Sequence, residues 1–155
     1  MGYKVIQDSI VGVLRGSAIS GIDWGSTASP YYEQVPEPAP AYPYLVFEVD
    51  DSSMEWHTEL AYSEMYVATF HLICLEDDVA SLGSPYETTS PFNYLDGKAD
   101  ELTVYDGDGF NVQEFHRTSW ALKMLKDYRG PGGERVYDVQ ARYGIMVNPN
   151  SIAGS

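Results

Sequence analysis

Two long segments of alternating apolar and polar residues, near the C-terminal end, constrain the fold most. The first runs from about Glu114 to Tyr128 and the second from about Glu134 to Val147, with a glycine-rich stretch at 129–133 between them. One face of the second segment carries the apolar residues Tyr137, Val139, Ala141, Tyr143, Ile145 and Val147. A period of two over this length is typical of a strand with one buried face. The pattern therefore predicts a β-hairpin with a loop of about five residues.

The length of this hairpin is itself informative. Each strand is predicted to hold roughly 14 residues, near ~45 Å at ~3.3 Å per residue, which exceeds the usual strand. A small domain has little internal use for such a hairpin. The sequence therefore predicts that the hairpin reaches a neighbouring molecule.

The N-terminal part combines a helix with a long loop. Residues Tyr3 to about Arg15 place four apolar side chains at helical spacing, namely Ile6, Ile10, Val13 and Leu14, which predicts an amphipathic helix that needs a sheet to cover. Residues 22–43 hold five prolines among Gly, Ser and Tyr, a composition that excludes a helix or a central strand and predicts an extended loop. The aromatic residues of this loop favour packing on a surface over plain disorder.

The middle of the chain predicts two more strands and short helices. Tyr44–Val49 is a compact apolar run, and residues 50–53 turn the chain. A second strand from about Glu64 to Leu75 is apolar on both faces, as expected for a central strand. A short helix is predicted at Asp77–Leu82, stopped by Gly83, and another at about Phe92–Leu102, broken by Gly97.

These elements predict one α+β domain over residues 1–147. It is expected to hold an antiparallel sheet of about four strands, with the N-terminal helix and the short helices on one face and the long hairpin at the C-terminal end. Residues 83–112 are interpreted as a possible insertion, and residues 148–155 as a C-terminal arm.

Composition limits the classes of partner. The chain has 155 residues and a formal charge of −14, so it disfavours direct electrostatic binding to nucleic acid or to an anionic membrane. A single cysteine, Cys74, excludes an intrachain disulfide and suits a reducing compartment. Because no apolar run approaches ~18 residues and no signal peptide is evident, the sequence predicts a soluble, non-secreted protein.

The sequence offers no assembled catalytic, cofactor-binding or metal site. The histidines His57, His71 and His116 lack ligand spacing, although the latter two could face each other across a sheet. The turn at 106–109 fails the EF-hand pattern. Cys74 lies between apolar residues and is predicted to be an inert buried thiol. We therefore predict that the chain is not an enzyme and binds no cofactor.

The thirteen tyrosines indicate contact surfaces instead. Tyr137 and Tyr143 are expected to fill the core. Tyr and Trp are enriched at interfaces, and core packing is less available to tyrosines in loops, such as Tyr86. The predicted contact residues for other subunits or partners are Tyr31, Tyr32, Pro38, Tyr42 and the hairpin tip from Arg129 to Arg135.

The order of elements, together with the run Ala41-Tyr42-Pro43-Tyr44-Leu45-Val46-Phe47, resembles the tail terminator (tail completion, head–tail joining) proteins of long-tailed bacteriophages. In that family a "Pro-Tyr-hydrophobic" strand follows a helix and a loop, and a strand, a helix and a final pair of strands complete an α+β domain. This chain departs from the family in its shorter helix at Asp77–Leu82 and in residues 83–112.

The resemblance implies a structural virion protein of the tail or neck, assembled in the host cytoplasm. Such a protein forms a ring, expected to be a homo-hexamer, at the head-proximal end of the tail. Its partners would be the tail tube protein and a head–tail connector or stopper protein, and DNA would pass through an acidic lumen without specific binding. Alternatives are another neck adaptor or tail-tube component, or a small ligand-binding domain or enzyme with a cleft near His57, Trp56 and Glu59.

Overall fold

The structure is a computed structural model that describes residues 6, 7, 10, 11, 14, 21–26, 30–33, 35, 40–50, 54–56, 62–97 and 110–149. For residues 54–56, 62–63, 110–114 and 147–149 the main chain alone is described.

One antiparallel sheet organises the described residues. Its strands are β1 (Tyr44–Asp50), β2 (Met54–Trp56), β3 (Tyr62–Leu75), β4 (Phe110–Arg129) and β5 (Arg135–Pro149). The spatial order is β1-β3-β5-β4, and β2 pairs with β3 beyond the end of β1. All strand pairs are antiparallel. The architecture is α+β, as the sequence predicts.

The C-terminal hairpin is confirmed, and it is longer than predicted. Its tip is closed by hydrogen bonds from the Gly130 N–H to the Glu134 carbonyl (2.9 Å) and from the Gly133 N–H to the Gly130 carbonyl (3.0 Å). Gly133 has φ +86°, a conformation that favours glycine.

The hairpin has an internal use, contrary to the argument that its length requires a neighbour. The strand β3 has 14 residues, and β5 pairs with it from Val136 opposite Leu75 to Val147 opposite Glu64. The length of β5 therefore matches that of the central strand β3, its partner in the sheet. Sequence periodicity alone could not identify this partner.

The main core lies on one face of the sheet. The predicted N-terminal helix is supported, since residues 6, 7, 10, 11 and 14 are helical. Ile6, Ile10 and Leu14 are each 1 % exposed and belong to the same core as Phe92 and Leu95. Val13, predicted on the same stripe, lies outside the described residues. On the sheet, the core face includes the buried aromatic residues Phe47, Phe70, Phe115 and Tyr143.

The short helical elements differ in type and bounds from the prediction. Instead of one helix at 77–82, a 3-10 turn at Glu76–Asp78 leads into a π-helix at Val79–Gly83. The next helix is Pro91–Asp96, and its N-cap Ser90 accepts a hydrogen bond from the Phe92 N–H at 3.2 Å. It ends at Asp96 with Gly97 as the C-cap, so the predicted break at Gly97 is confirmed. Residues 98–109, which include the rest of the predicted helix, lie outside the described part.

The proline-rich loop is more regular than predicted. Residues 23 and 32 form parallel bridges with Tyr44 and Phe47 of β1. The Leu45 N–H donates to the Asp23 carbonyl (2.8 Å), and the Phe47 N–H donates to the Tyr31 carbonyl (3.1 Å). The described part of this loop therefore covers the outer edge of β1, and the opposite edge of the sheet is β4.

Candidate interaction surface

The edge strand β4 is the most exposed part of the sheet. Among the described strands it pairs with β5 and no other, so its outer edge meets none of them. Of the five exposed large apolar side chains in the described part, three belong to β4, namely Trp120 (40 % exposed), Leu122 (44 %) and Tyr128 (57 %). An unpaired edge with apolar side chains is a template for contact with another chain.

Trp120 and Leu122 lie on the face of the sheet that carries the main core. Their register partners on β5 are Ala141 and Val139, and both of these are fully buried. The helical layer, which consists of the N-terminal helix and the helical elements at Glu76–Gly83 and Pro91–Asp96, packs on this core. It meets β4 at Trp120, whose indole N–H donates to the Gly83 carbonyl at 2.8 Å. Trp120 nevertheless remains 40 % exposed and Leu122 44 % exposed. The core face of β4 therefore carries apolar side chains that the described part of the fold does not fully bury.

An apolar groove adjoins this edge. It has a volume of about 340 Å³ and lies between β4 and the helical turns, lined by Val79, Ala80, Ser84, Pro85, Tyr86, Arg117 and Trp120. Tyr86, at its rim, is 87 % exposed. The Arg117 guanidinium pairs with the Asp96 carboxylate at 3.2 Å, which reduces the charge that the groove presents.

A polar network holds Asp96, the partner of the groove residue Arg117. The Tyr143 hydroxyl donates to Asp96 Oδ1 at 2.8 Å and lies 3.3 Å from the Phe92 carbonyl. Burial and, secondly, the hydrogen bond to Asp96 strongly raise the pKa of Tyr143, so the phenol stays neutral and acts as a donor. This contact joins the helix Pro91–Asp96 to β5 and so positions Asp96 beside Arg117.

His71 is held between carboxylates on the opposite face of the sheet. Its Nδ1 lies 3.1 Å from Asp138 Oδ2, and its Nε2 lies 3.5 Å from Glu48 Oε1. It is opposite Gln140 in register, whereas His116 is opposite Gly144, so the two histidines do not face each other as the sequence suggested. The hydrogen bond with Asp138 raises the pKa of His71 against the lowering effect of burial, and the charges of both carboxylates add to the rise.

This arrangement predicts a pH-dependent stability. A histidine with a raised pKa in the folded protein stabilises it fully below its unfolded value, near ~6.5, and loses that contribution as the pH rises through the folded value. We expect the difference in free energy of unfolding between the native protein and His71→Gln to shrink over this window. Urea denaturation across a pH series measures it, with His116→Gln, on exposed β4, as the control. Parallel pH profiles for the native protein and His71→Gln would contradict the prediction.

The contact residues predicted from the loop pack largely within the chain. Tyr32 meets Phe47 edge to face with ring centroids 5.2 Å apart, and Tyr42 stacks on Tyr44 at 5.9 Å. The Tyr31 hydroxyl donates to Asp23 Oδ2 at 2.9 Å, which raises the pKa of Tyr31. All three are half-buried, and their role in an interface stays a prediction.

The remaining predicted site residues divide between the hairpin tip and the undescribed part. Arg129 and Arg135 are exposed at the tip, where the Arg135 N–H lies 3.3 Å from Glu76 Oε1. Pro38, His57, Glu59 and the acidic turn at 106–109 lie outside the described residues, and the side chain of Trp56 is likewise not described.

The two tyrosines predicted to lie in the core differ in burial, and the cysteine is buried. Tyr143 is fully buried, as predicted, whereas Tyr137 is half-buried and belongs to neither hydrophobic core cluster of the described residues. Cys74 is buried as predicted, and burial raises the pKa of its thiol to about 12, which leaves it protonated and unreactive at neutral pH.

The described ranges contain neither a metal-binding cluster nor a membrane-spanning helix. No group of three or more His, Cys, Asp and Glu side chains in these ranges could hold a metal ion. No helix within the same ranges is long and apolar enough to cross a membrane.

Sequence reasoning missed the exposed apolar edge and its charge. Exposure of Trp120 and Leu122 depends on where the helical layer ends, which no local pattern reveals. Charge distribution, however, is visible in the sequence. Residues 110–149 hold six of the nine Lys and Arg but four of the twenty-three Asp and Glu, whereas residues 16–97 hold fourteen Asp and Glu and no Lys or Arg.

Comparison with models of protein families gave no match, and comparison with curated proteins gave none either.

Proposed function

We propose that this chain is a structural subunit of a long-tailed bacteriophage tail, of the tail terminator type. Copies of the chain form a ring at the head-proximal end of the tail tube, end the growth of the tube and join the tail to the neck. The observation that carries the proposal is the twenty-residue edge strand β4, which exposes Trp120, Leu122 and Tyr128 and has no strand on its outer edge in the described part.

The order of elements supports the same proposal. Helical residues and a proline-rich segment precede β1, which begins directly after Pro43. The strand β3, short helices and the β4–β5 hairpin follow. This is the order that the resemblance implies, with a helical region made of short turns instead of one longer helix.

The charge of the chain fits passage of DNA. A ring of subunits that each carry a net charge of −14 repels a phosphate backbone. DNA therefore crosses the lumen without adhering to it. The apolar surface at β4 supplies contacts between proteins that the acidic remainder of the chain disfavours.

Negative-stain electron microscopy of the purified protein, alone and with tail tubes, tests the proposal. We expect rings, or a density cap at one end of each tube. A protein that stays monomeric and leaves tubes uncapped would overturn the proposal. Capping by a head–tail connector instead of the tube would reassign the chain to a neck adaptor.

The groove beside Tyr86 favours a second candidate, a small ligand-binding domain. A volume of about 340 Å³ with mainly apolar lining is within the range of small-ligand sites. A ligand that fills this groove would raise the melting temperature, and the rise would be lost in Trp120→Ala.

A further inference from the structure

The charges of the two sheet edges are opposite. The basic edge is β4, where Lys123, Lys126 and Arg129 are exposed together with a single exposed acid among the described side chains of that strand, Asp127. The acidic edge lies at the other side of the sheet, beside β1, and includes the exposed residues Glu33 and Asp50. Between them stand β3 and β5, because the strand order is β1-β3-β5-β4.

Two lysines of the basic edge have no ionic partner among the described residues, and Arg129 donates to the Tyr128 carbonyl at 3.1 Å. Lys123 and Lys126 form no ion pair with any residue in the described ranges, whereas Arg117 on the same strand is paired with Asp96. A chain that carries nine basic residues against twenty-three acidic ones has ample acid to neutralise them. The folding of the single chain leaves these two lysines exposed at the sheet edge instead.

Each edge also carries exposed apolar surface. Leu122 and Tyr128 belong to the basic edge, and Val35, which follows the acidic edge residue Glu33 by two positions, is 40 % exposed. Each surface thus combines apolar side chains with a net charge, which is positive on β4 and negative on the opposite edge, so the two surfaces are complementary.

We infer that the basic edge of one copy docks against the acidic edge of a second copy, so that the subunits associate head to tail. This inference rests on the proposed ring and names the surfaces that join its subunits. A symmetric dimer through β4 would instead bring Lys123, Lys126 and Arg129 of both copies together, which like-charge repulsion disfavours. A head-to-tail contact uses two different surfaces and closes into a ring when the rotation per subunit permits.

A charge exchange between two variants tests the inference. The first variant is Lys123→Glu with Lys126→Glu, and the second is Glu33→Lys with Asp50→Lys. We expect each alone to associate at least about tenfold more weakly than the native protein, because like charges then meet at every contact. Mixing the two should restore assembly, since every contact again joins opposite charges. Sedimentation velocity measures the species, and circular dichroism confirms that each variant is folded.

Two controls separate this contact from a general effect of charge. Arg142→Glu, on the inner strand β5, is compared with Lys126→Glu alone, because both reverse one positive charge, and it should alter association by no more than about twofold. Raising the salt from ~0.15 M to ~1 M shortens the screening length from ~8 Å to ~3 Å and should weaken the native assembly.

The possible results distinguish the two proposals. Rings that form equally well in both variants would overturn the edge-to-edge contact and leave the proposed function standing. The same conclusion would follow if the native protein caps tail tubes but, in the absence of tubes, is a monomer or a symmetric dimer. If duplex DNA binds the native protein but not the lysine variant, with self-association unchanged, the basic edge is a DNA contact and the inference is overturned. Native protein that neither associates nor binds tubes would overturn both.

Discussion

Phe70→Ala is expected to lower the free energy of unfolding by about 3–5 kcal/mol. Phe70 is fully buried on the central strand β3. Its ring lies 5.7 Å from Phe47 and 5.5 Å from Tyr143, centroid to centroid, and Tyr143 stacks on Phe115 at 4.8 Å. The ring thus connects β1 to β5, and its removal leaves a cavity at the centre of the sheet.

This loss is a large fraction of the roughly 5–15 kcal/mol that stabilises a typical domain. For a chain of this size it corresponds to a fall in melting temperature of roughly 6–20 °C. Urea denaturation at low protein concentration measures it without a contribution from assembly. Tyr86→Ala is the matched control, because Tyr86 is 87 % exposed and its truncation should change stability by less than about 0.5 kcal/mol. Equal losses in the two variants would show that the aromatic cluster is not the centre of the core.

Leu122→Glu is expected to weaken assembly by at least about 2 kcal/mol per contact, about thirtyfold in the association constant. A charge placed at this position in a docked surface loses its hydration without gaining a partner. The stability of the single chain should change by less than about 1 kcal/mol, since Leu122 is 44 % exposed. Size-exclusion chromatography with light scattering measures assembly, and urea denaturation measures stability.

The matched control for this prediction is Thr88→Glu, which adds the same charge at an exposed turn outside β4. It should leave assembly unchanged. If both variants assemble like the native protein, β4 is not the contact surface, and the observation that carries the proposed function loses its meaning.

Local patterns predicted the strands that are long and strongly alternating. The period of two over residues 134–147 and the apolar run at Tyr44–Val49 identified β5 and β1, with bounds within two residues. The helical stripe of Ile6, Ile10 and Leu14 was equally clear, and all three are buried. In these segments burial follows directly from the spacing of side chains.

Elements that depend on a distant partner were missed. The strand β2 has three residues and exists because it pairs with the start of β3, so nothing local marks it. The proline-rich segment was predicted as a loop, yet its bridges to Tyr44 and Phe47 depend on the edge of β1 being available. The exposure of Trp120 likewise depends on where the helical layer ends. Tertiary pairing, and not propensity, decides each case.

The unequal edges of the sheet also limit how the protein can aggregate. A sheet open on both sides can add strands without end and grow into a fibre. Here the described part of the proline-rich segment already occupies the main-chain groups of β1 from Pro43 to Phe47. The open edge of β4 can therefore pair with one further strand. In a second copy, however, the edge beside β1 is already hydrogen-bonded, so main-chain pairing cannot continue from copy to copy.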